Sequence, residues 1–483
     1  MLSRHRQWLL IIFMAAALLR LGGLGAKSLW FDEAYSAMHS QQPQATIWSR
    51  LGARPETHPP LYYSGLHYWM QAVGTSETAV RLPSALMSLL NLGLLYALGR
   101  RLFNRRVALL AMGLLALSPL DLWYAQEARM YIFMTGVVLA AALLLTWQRW
   151  AALPALTAVL ALGLYLDYTL PPLWAALSAV WLVYWRQSGG ARRPFLIWLL
   201  AAPAAWLLYQ PWAPYFLDVL NELNDIHFFI RLQEVTGLPP LSGAGYLLVM
   251  ALGGIGLALA AAWAQPRLRQ ARVQRWLTPL IIVGFALLTA LMPIPRLYGV
   301  KRLLVQGWPL IILLVAWLLE EKRGTQRGTQ SYAEETQRDA EKFIKNLCVP
   351  PRLRGSPRSS LLTLLIVSLA ASLVTLVAVP KDDWRTAVAA LNARADETAV
   401  VWIAPHWNQL AYRYYQPHIA PRSGDEAALR QAAGEDLWLV AERFPSQTPP
   451  TSPSEAWLDQ ERRLVETIPL VRLELRRYVK GEE

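Results

Sequence analysis

The chain has 483 residues, 55% of them hydrophobic and only 16% charged, with 22 tryptophans. With a positive mean hydropathy, that mix excludes an ordinary soluble globular protein, and apolar runs of about 18 residues or more read as membrane spans. The formal net charge of +13 would suit a nucleic-acid binder, but its basic residues are gathered in alternate loops between apolar runs, which excludes that partner.

In chain order, the apolar runs predict eleven spans, at 8–25, 82–100, 105–120, 130–148, 151–167, 169–185, 194–212, 243–264, 276–292, 302–319 and 361–379. The first is too long, and lacks the small-residue cleavage site, to be a removable signal peptide. Arginines cluster at Arg4 and Arg6, at Arg100, Arg101, Arg105 and Arg106, at Arg186, Arg192 and Arg193, and at Arg267, Arg269, Arg272 and Arg275. This positive-inside bias places the N-terminus in the cytoplasm, and loops 26–81, 121–129, 213–242 and 293–301 outside. The single cysteine, Cys348, excludes an internal disulfide and has no His or Cys neighbour at metal-ligand spacing.

Three polar pieces interrupt the spans. In the first outer loop, 26–81, "HPPLYYSGLHYWMQAVG" (58–74) is rich in Tyr and Trp, which predicts short helices lying in the membrane interface. The second piece, 321–360, carries the tandem repeat "RGTQRGTQ" and a mixed-charge run. It cannot bury a core and reads as a mostly disordered cytoplasmic insertion with a short helix at 333–346. The third runs from Lys381 to the end. Helix-like 382–395 and 426–434 alternate with the strand-like runs 399–404, 437–442 and 470–479, predicting a small α/β domain around a mainly parallel sheet. It has no Gly-rich phosphate loop and no nucleophile elbow, so a binding or structural role is expected of it. The fold class is therefore a membrane all-α, polytopic helix bundle (1–380) with interfacial helices in its first outer loop and a small extracytoplasmic α/β domain (381–483).

Charged residues that look out of place converge on the outer face. Asp32 and Glu33 lie in "SLWFDEAYSAMHS", Arg20 near the end of the first span, His58 before Pro59–Pro60, and Arg81 where the second span opens. Asp121, Glu127 and Arg129 fill "LDLWYAQEARMYIF", Asp167 occupies a short turn, and Arg296, Lys301 and Arg302 flank the tenth span. A random scatter would not prefer the face that the positive-inside bias depletes of cations, and ionisable residues beside hydrocarbon are costly. Carboxylates beside arginines at a lipid headgroup suit a substrate with an anionic phosphate on an apolar tail. The arginines would hold the phosphate through charge-assisted hydrogen bonds and stabilise charge on it as it departs. A carboxylate would take a proton from an incoming hydroxyl or amine. Structural roles stand beside these: a solvated Asp32, a Glu127–Arg129 pair holding its turn, a snorkelling Arg20 and a packing His58. The aromatics Tyr62, Tyr63, Tyr68, Trp69, Trp123 and Tyr124 read as interfacial anchors rather than sugar platforms. Ligands for a divalent metal are available, but no local spacing identifies a metal site.

The motifs "SLWFDEAYS", "THPPLYYSGLHYWM", "RLPSAL", "SPLDLWYAQEARMYIF", "LYLDYT" and "KRLLVQGWPLIILL" occur in the order and spacing of another group of proteins. Through them, residues 8–320 resemble membrane glycosyltransferases of the GT-C superfamily, in the bacterial branch similar to protein O-mannosyltransferases and the lipid A aminoarabinose transferase. "KDDWRTAVAAL" adds a looser similarity. The resemblance implies that Asp32 is the catalytic base, deprotonating the acceptor while polyprenyl phosphate leaves the sugar with inversion. Glu33 ranks second, since adjacent side chains on a helical turn diverge. Glu127 and Arg129 are implied to shape the site, and Arg302, with Lys301 sharing the role, to contact the lipid phosphate. His58 stands where relatives often carry Lys or His, and Asp167 where many carry histidine. The Arg302 motif departs from the family pattern, with Leu303 in place of a tyrosine and its proline late, at Pro309.

The partners so implied are a polyprenyl-phosphate sugar donor, an extracytoplasmic lipid, glycan or protein acceptor, and membrane lipids, with no nucleic acid. A lipid-linked sugar transporter would place its charges near the bilayer midplane and show repeated spans, neither of which is seen. A non-catalytic envelope assembly protein would tolerate loss of the Asp32 carboxylate.

Overall fold

Helix α1 (Arg4–Leu21) ends where Gly22 and Gly23 leave the helical path, and three short helices, α2 (Phe31–Ser40), α3 (Gln44–Ser49) and α4 (Leu61–Val73), follow before the long α5 (Glu77–Leu102). The computed structural model describes residues 3–49, 58–187, 189–222, 252, 302, 304–320, 357–377, 379–443 and 453–480. Ser76 caps α5, its hydroxyl accepting from the Ala79 N–H at 3.2 Å, so this helix starts earlier than the expected span at 82.

The span expected at 105–120 is broken. Helices α6 (Arg105–Ala116) and α7 (Pro119–Ala125) meet at 60°. Pro119 supplies no N–H and pushes the residue before it out of the helical region, while Ser118 caps α7 by accepting from the Asp121 N–H at 3.3 Å. Helices α8 (Tyr131–Leu144), α9 (Ala152–Leu166), α10 (Leu170–Gln187), α11 (Arg192–Tyr209) and α12 (Ala213–Glu222) follow, then α13 (Leu304–Glu320) and α14 (Pro357–Val377). Among the described helices, α5 alone is long and apolar enough to cross a membrane unbroken, and α6 with α7 passes the same test as a bent pair. Helix α8 is buried nearly all round, with α5 and α9 against it, as a helix apolar on every face must be. Gly99 on α5 lets α6 approach closely: a Cβ there would meet the Ala108 Cα at 2.9 Å. The expected spans 243–264 and 276–292, the 333–346 helix, Arg296, Lys301 and Cys348 lie outside the described residues.

The arginine-rich turns meet at one end of the bundle. Arg101 donates to the Thr146 carbonyl at 3.2 Å, Arg193 to the Gln148 carbonyl at 3.3 Å, and Arg106 pairs with Glu320 at 3.4 Å. Arg81 and Arg101 sit about 30 Å apart along α5, at about 1.5 Å per residue. The acids singled out from the sequence gather at the Arg81 end.

The C-terminal sheet has five strands: β1 (Val400–Ala404), β2 (Pro421–Arg422), β3 (Asp436–Glu442), β4 (Arg462–Pro469) and β5 (Leu473–Lys480), in the order β2-β1-β3-β5-β4. Strands β2, β1 and β3 are parallel, while β5 runs antiparallel to both β3 and β4. The sheet is thus mixed rather than mainly parallel, because the tight β4–β5 turn, with Arg472 at φ +59°, can join only antiparallel strands. Val401, Ile403, Trp438 and Val440 share one core with the helix bundle through the helix Trp384–Arg394. The other face, with Trp402, Leu437 and Leu439, is closed by the helices Glu426–Ala432 and Pro453–Glu461. Polar ties fasten the sheet unit to the loop after α1: Lys27 Nζ to the Val379 carbonyl at 2.7 Å, Ser28 Oγ to Asp383 at 3.1 Å, and the Leu29 N–H to the Tyr415 hydroxyl at 2.7 Å.

Candidate active site

Asp32 and Glu33 occupy the first turn of α2, and successive side chains on a helix point about 100° apart. Glu33 turns into the protein and is fully buried. Its Oε1 accepts from Arg81 Nε at 2.7 Å and the Ala128 N–H at 3.1 Å; its Oε2 accepts from Arg81 Nη2 at 2.7 Å and Lys381 Nζ at 2.9 Å. Burial alone would raise this carboxyl, but the Arg81 and Lys381 charges outweigh it and hold the pKa at about 2. A carboxylate offers about four lone-pair positions, and all are taken. Glu33 is therefore a structural clamp, not the second catalytic acid expected from the sequence.

Two of the expected phosphate-binding arginines are likewise committed. Arg81 spends its remaining N–H groups on the carbonyls of Leu24 at 2.6 Å, Lys27 at 2.7 Å and Ser28 at 2.9 Å. Arg20 does not snorkel: it is fully buried, bonded to Ser88 at 2.7 Å, Asp121 at 2.7 Å and the carbonyls of Ala16, Leu115 and Ala116 at 3.0–3.3 Å. A guanidinium has five N–H groups, so neither side chain keeps one for a phosphate. The carbonyls of Leu115 and Ala116 are orphans of the α6 end, and Arg20 and Asp121 tie that break to α1 and α5.

Asp32 turns the other way and pairs with Arg302, their side chains 13% and 31% exposed. Its backbone carbonyl accepts from Ser36 Oγ at 3.0 Å and Arg129 Nη1 at 3.4 Å. Arg129 and Arg302 each set their guanidinium over the Tyr131 ring, at 5.6 and 5.5 Å from its centroid. Arg129 Nη2 donates to His58 Nε2 at 2.8 Å, and the other ring nitrogen faces Asp167 Oδ2 at 3.6 Å. A guanidinium can only donate, so Nε2 is bare and the proton sits on Nδ1, toward Asp167. Burial, then the Arg129 charge, push the His58 pKa below its ordinary value, leaving the ring neutral. Burial would raise the Asp167 carboxyl, but the His58 ring and the Thr169 N–H and hydroxyl, at 2.8 and 2.6 Å, hold it down.

Glu127 lies in the turn between α7 and α8, fully buried, and neither carboxyl oxygen has a hydrogen-bond partner among the described residues. Burial pushes its pKa up to about 7, against the pull of Lys381 and with the push of Glu33 and Asp32. It does not pair with Arg129, whose side chain goes to His58 instead.

The structure thus brings together Asp32, Arg302, Arg129, His58 and Asp167, with Glu127 within electrostatic reach of Asp32 and Arg302. It leaves Arg20 in a separate network and turns Glu33 and Arg81 into a clamp. The tyrosines expected as interfacial anchors are not all at a surface: Tyr62, Tyr63 and Tyr124 are 4%, 0% and 1% exposed and stack edge-on with Tyr63, His39 and Tyr131, respectively, while Tyr68 is 61% exposed. Lys381 was missed as a partner of Glu33; its place at the head of "KDDWRTAVAAL" was the available signal. Among the described residues, no three His, Cys, Asp or Glu side chains are placed to hold a metal ion.

Residues 57–214, which carry His58, Arg81, Glu127, Arg129 and Asp167, match the family model of dolichyl-phosphate-mannose-protein mannosyltransferases. No curated protein sequence matches the chain significantly. Among solved structures, ArnT from Cupriavidus metallidurans in the apo state is similar over 100% of both chains, at 14% identity and a TM-score of 0.54. At that identity the likeness is one of fold. The oligosaccharyltransferase AglB from Archaeoglobus fulgidus, in complex with an inhibitory peptide and a dolichol-phosphate, matches 91% of this chain over 69% of its own, at 12% identity and a TM-score of 0.50. The apo Archaeoglobus fulgidus oligosaccharyltransferase gives 10% identity and a TM-score of 0.51 over the same shares, 91% and 69%. In this chain, the grouped side chains come from α2, the loop before α4, the α7–α8 turn, the α9–α10 turn and the approach to α13.

Proposed function

We propose that the chain transfers a sugar from a polyprenyl-phosphate donor to a hydroxyl or amine of a lipid, glycan or protein acceptor at the outer face of the cytoplasmic membrane. The observation that carries this reading is the pairing of the partly exposed Asp32 with Arg302, beside Arg129 and a neutral His58, at the bundle end remote from the arginine-rich turns. The dolichol-phosphate in the AglB complex supports a lipid-phosphate donor of this class.

In the proposed single displacement, the acceptor oxygen or nitrogen attacks the anomeric carbon and its proton passes to an Asp32 oxygen. The bond from the anomeric carbon to the phosphate oxygen breaks, its electron pair leaves with polyprenyl phosphate, and the configuration inverts. Arg302 neutralises charge gathering on that phosphate. Arg302 is hydrogen-bonded to Asp32, so a donor phosphate that takes its fork would release a carboxylate oxygen for the acceptor. The same reading puts the N-terminus in the cytoplasm and the unit 381–483 outside, above the site.

A second reading gives the proton to Glu127, whose buried carboxyl titrates near 7, close to where a general base works best. Mass spectrometry of membrane glycolipids and envelope proteins, from cells lacking the chain or carrying the wild type, Asp32→Asn or Glu127→Gln, tests both. Loss of a hexosyl or pentosyl increment in Asp32→Asn supports the first reading. An increment that survives in Asp32→Asn but is lost in Glu127→Gln supports the second, and identical profiles in all cells would sink transfer altogether.

A further inference from the structure

A cleft opens where α1, α7 and α14 end, lined by Leu24, Leu122, Leu376 and Trp123 and by three cations, Lys27, Arg81 and Lys381. Neither Asp32, His58, Arg129 nor Arg302 lines it. Two acids stand against these three cations: Glu33, held by Arg81 through both oxygens and by Lys381, and Glu127, which faces Lys381 and titrates at about 7. Burial first, then repulsion from Lys381 and Arg81, lower the Lys27 pKa to about 8. At neutral pH, the cleft therefore carries surplus positive charge.

Hydrogen-bonding capacity is left over as well. Arg81 has none, but an ammonium carries three N–H groups. Lys27 uses one on the Val379 carbonyl at 2.7 Å, while Lys381 uses one on Glu33 at 2.9 Å and a longer one on the Gln126 carbonyl at 3.4 Å, its ammonium lying over Trp123. Both helices that end at the cleft keep large apolar side chains exposed beside it. Leu18 and Leu21 on α1 are 72% and 42% exposed; Leu373 and Val377 on α14 are 47% and 82%. Surplus cations at the head of two apolar helix faces fit an anion attached to hydrocarbon, and neutral lipids offer no net charge to match them.

We propose that this cleft binds the phosphate of one anionic phospholipid, its headgroup taking the spare N–H groups of Lys27 and Lys381 and its acyl chains lying along α1 and α14. A phosphodiester there would offset one of those charges. It would also fasten the sheet unit, because Lys27 already holds the Val379 carbonyl and Lys381 holds Glu33. The inference rests on the membrane placement proposed above but not on transfer chemistry, so its test contains no sugar donor.

The full-length chain, stripped of lipid in detergent, is titrated with phosphatidylglycerol or phosphatidylcholine of matched acyl chains and read by native mass spectrometry. One phosphatidylglycerol is retained where phosphatidylcholine is not. Lys27→Gln weakens that retention about tenfold, the effect of losing one charge-assisted hydrogen bond, and Lys27→Arg largely keeps it. Arg106→Gln, at the far end of the bundle, changes nothing. A photoactivatable phosphatidylglycerol on the wild-type chain, which needs no variant to fold, cross-links within 18–27 or 373–381. Equal retention of the two lipids, insensitivity to Lys27→Gln, or cross-links only elsewhere would overturn the site. Displacement of phosphatidylglycerol by equimolar polyprenyl monophosphate would reassign the cleft to the donor lipid, and displacement by inorganic phosphate would remove the acyl chains from the recognition; either overturns the phospholipid assignment.

Discussion

Arg81 grips Glu33 through two parallel hydrogen bonds of 2.7 Å, and Lys381 joins the same carboxylate from the linker that enters the C-terminal sheet unit. One buried carboxylate thus ties α2, α5, the α7–α8 turn and the linker together. Removing one member of such a group strands its partners in a medium of low polarity. Glu33→Gln is expected to lose about 3–5 kcal/mol of stability, the usual result of breaking a buried pair, seen as a lower melting temperature and a lower folded yield in detergent. Asp32→Asn, only one helix position away, should melt close to wild type. If the two variants melt alike, Glu33 is not a clamp.

Glu127 sets a second expectation. Its folded pKa of about 7 lies above the ordinary 4.5, so between those values the folded chain holds a proton that the unfolded chain has released. Its uncharged carboxyl gives its full stabilisation below pH 4.5, and that contribution drains as the pH rises through 7, by on the order of 3 kcal/mol. Glu127→Gln stays neutral throughout. The melting temperature of Glu127→Gln minus that of wild type should therefore grow between pH 5 and 7 and level off beyond. Lys381→Met removes the charge that favours the ionised form, so in that background the levelling should move to higher pH. A difference that stays flat from pH 5 to 8 would place the Glu127 titration elsewhere.

Donor recognition gives a third prediction, because Arg302 is the charged partner of Asp32 and its side chain is 31% exposed. Arg302→Ala should raise the donor concentration needed for half-maximal transfer at least about tenfold, one charge-assisted hydrogen bond's worth. Lysine should restore only part of that loss, since an ammonium lacks the planar fork. Donor saturation unchanged in both variants would remove Arg302 from the phosphate site.

Much of this arrangement could be read along the chain, and the reasons for the rest are physical. Asp32, Arg129 and Arg302 stand out because charges beside long apolar runs are rare, and the arginine-rich turns mark the other end of the bundle by their charge alone. The Pro119 break was visible, but unbroken hydropathy on both sides masked it. Strand β4, "RRLVETIP", hides behind charges because one of its faces stays in water. Nothing local shows that Arg20 and Arg81 are filled by carbonyls, since the acceptors come from helix ends and loops that only folding brings near. His58 and Asp167 meet for the same reason, across more than a hundred intervening residues that no spacing rule spans.

The decisive prediction concerns Asp32. It sits at the end of the bundle where a lipid phosphate and its sugar would project, partly exposed, with a guanidinium against one oxygen. Asn keeps the side chain's size but cannot accept the acceptor's proton, and general-base catalysis contributes typically about 10²–10⁴-fold. Asp32→Asn is therefore expected to fold and bind donor as wild type does, yet to lose roughly 10²–10⁴-fold in transfer, with Glu33→Asp unable to compensate because that side chain points into the clamp. Glu127→Gln should lose less if Asp32 is the base, and as much or more if the proton goes to Glu127. Single-turnover transfer by the purified chain, under saturating donor, separates these outcomes: a wild-type rate in Asp32→Asn would end the mechanism proposed for it.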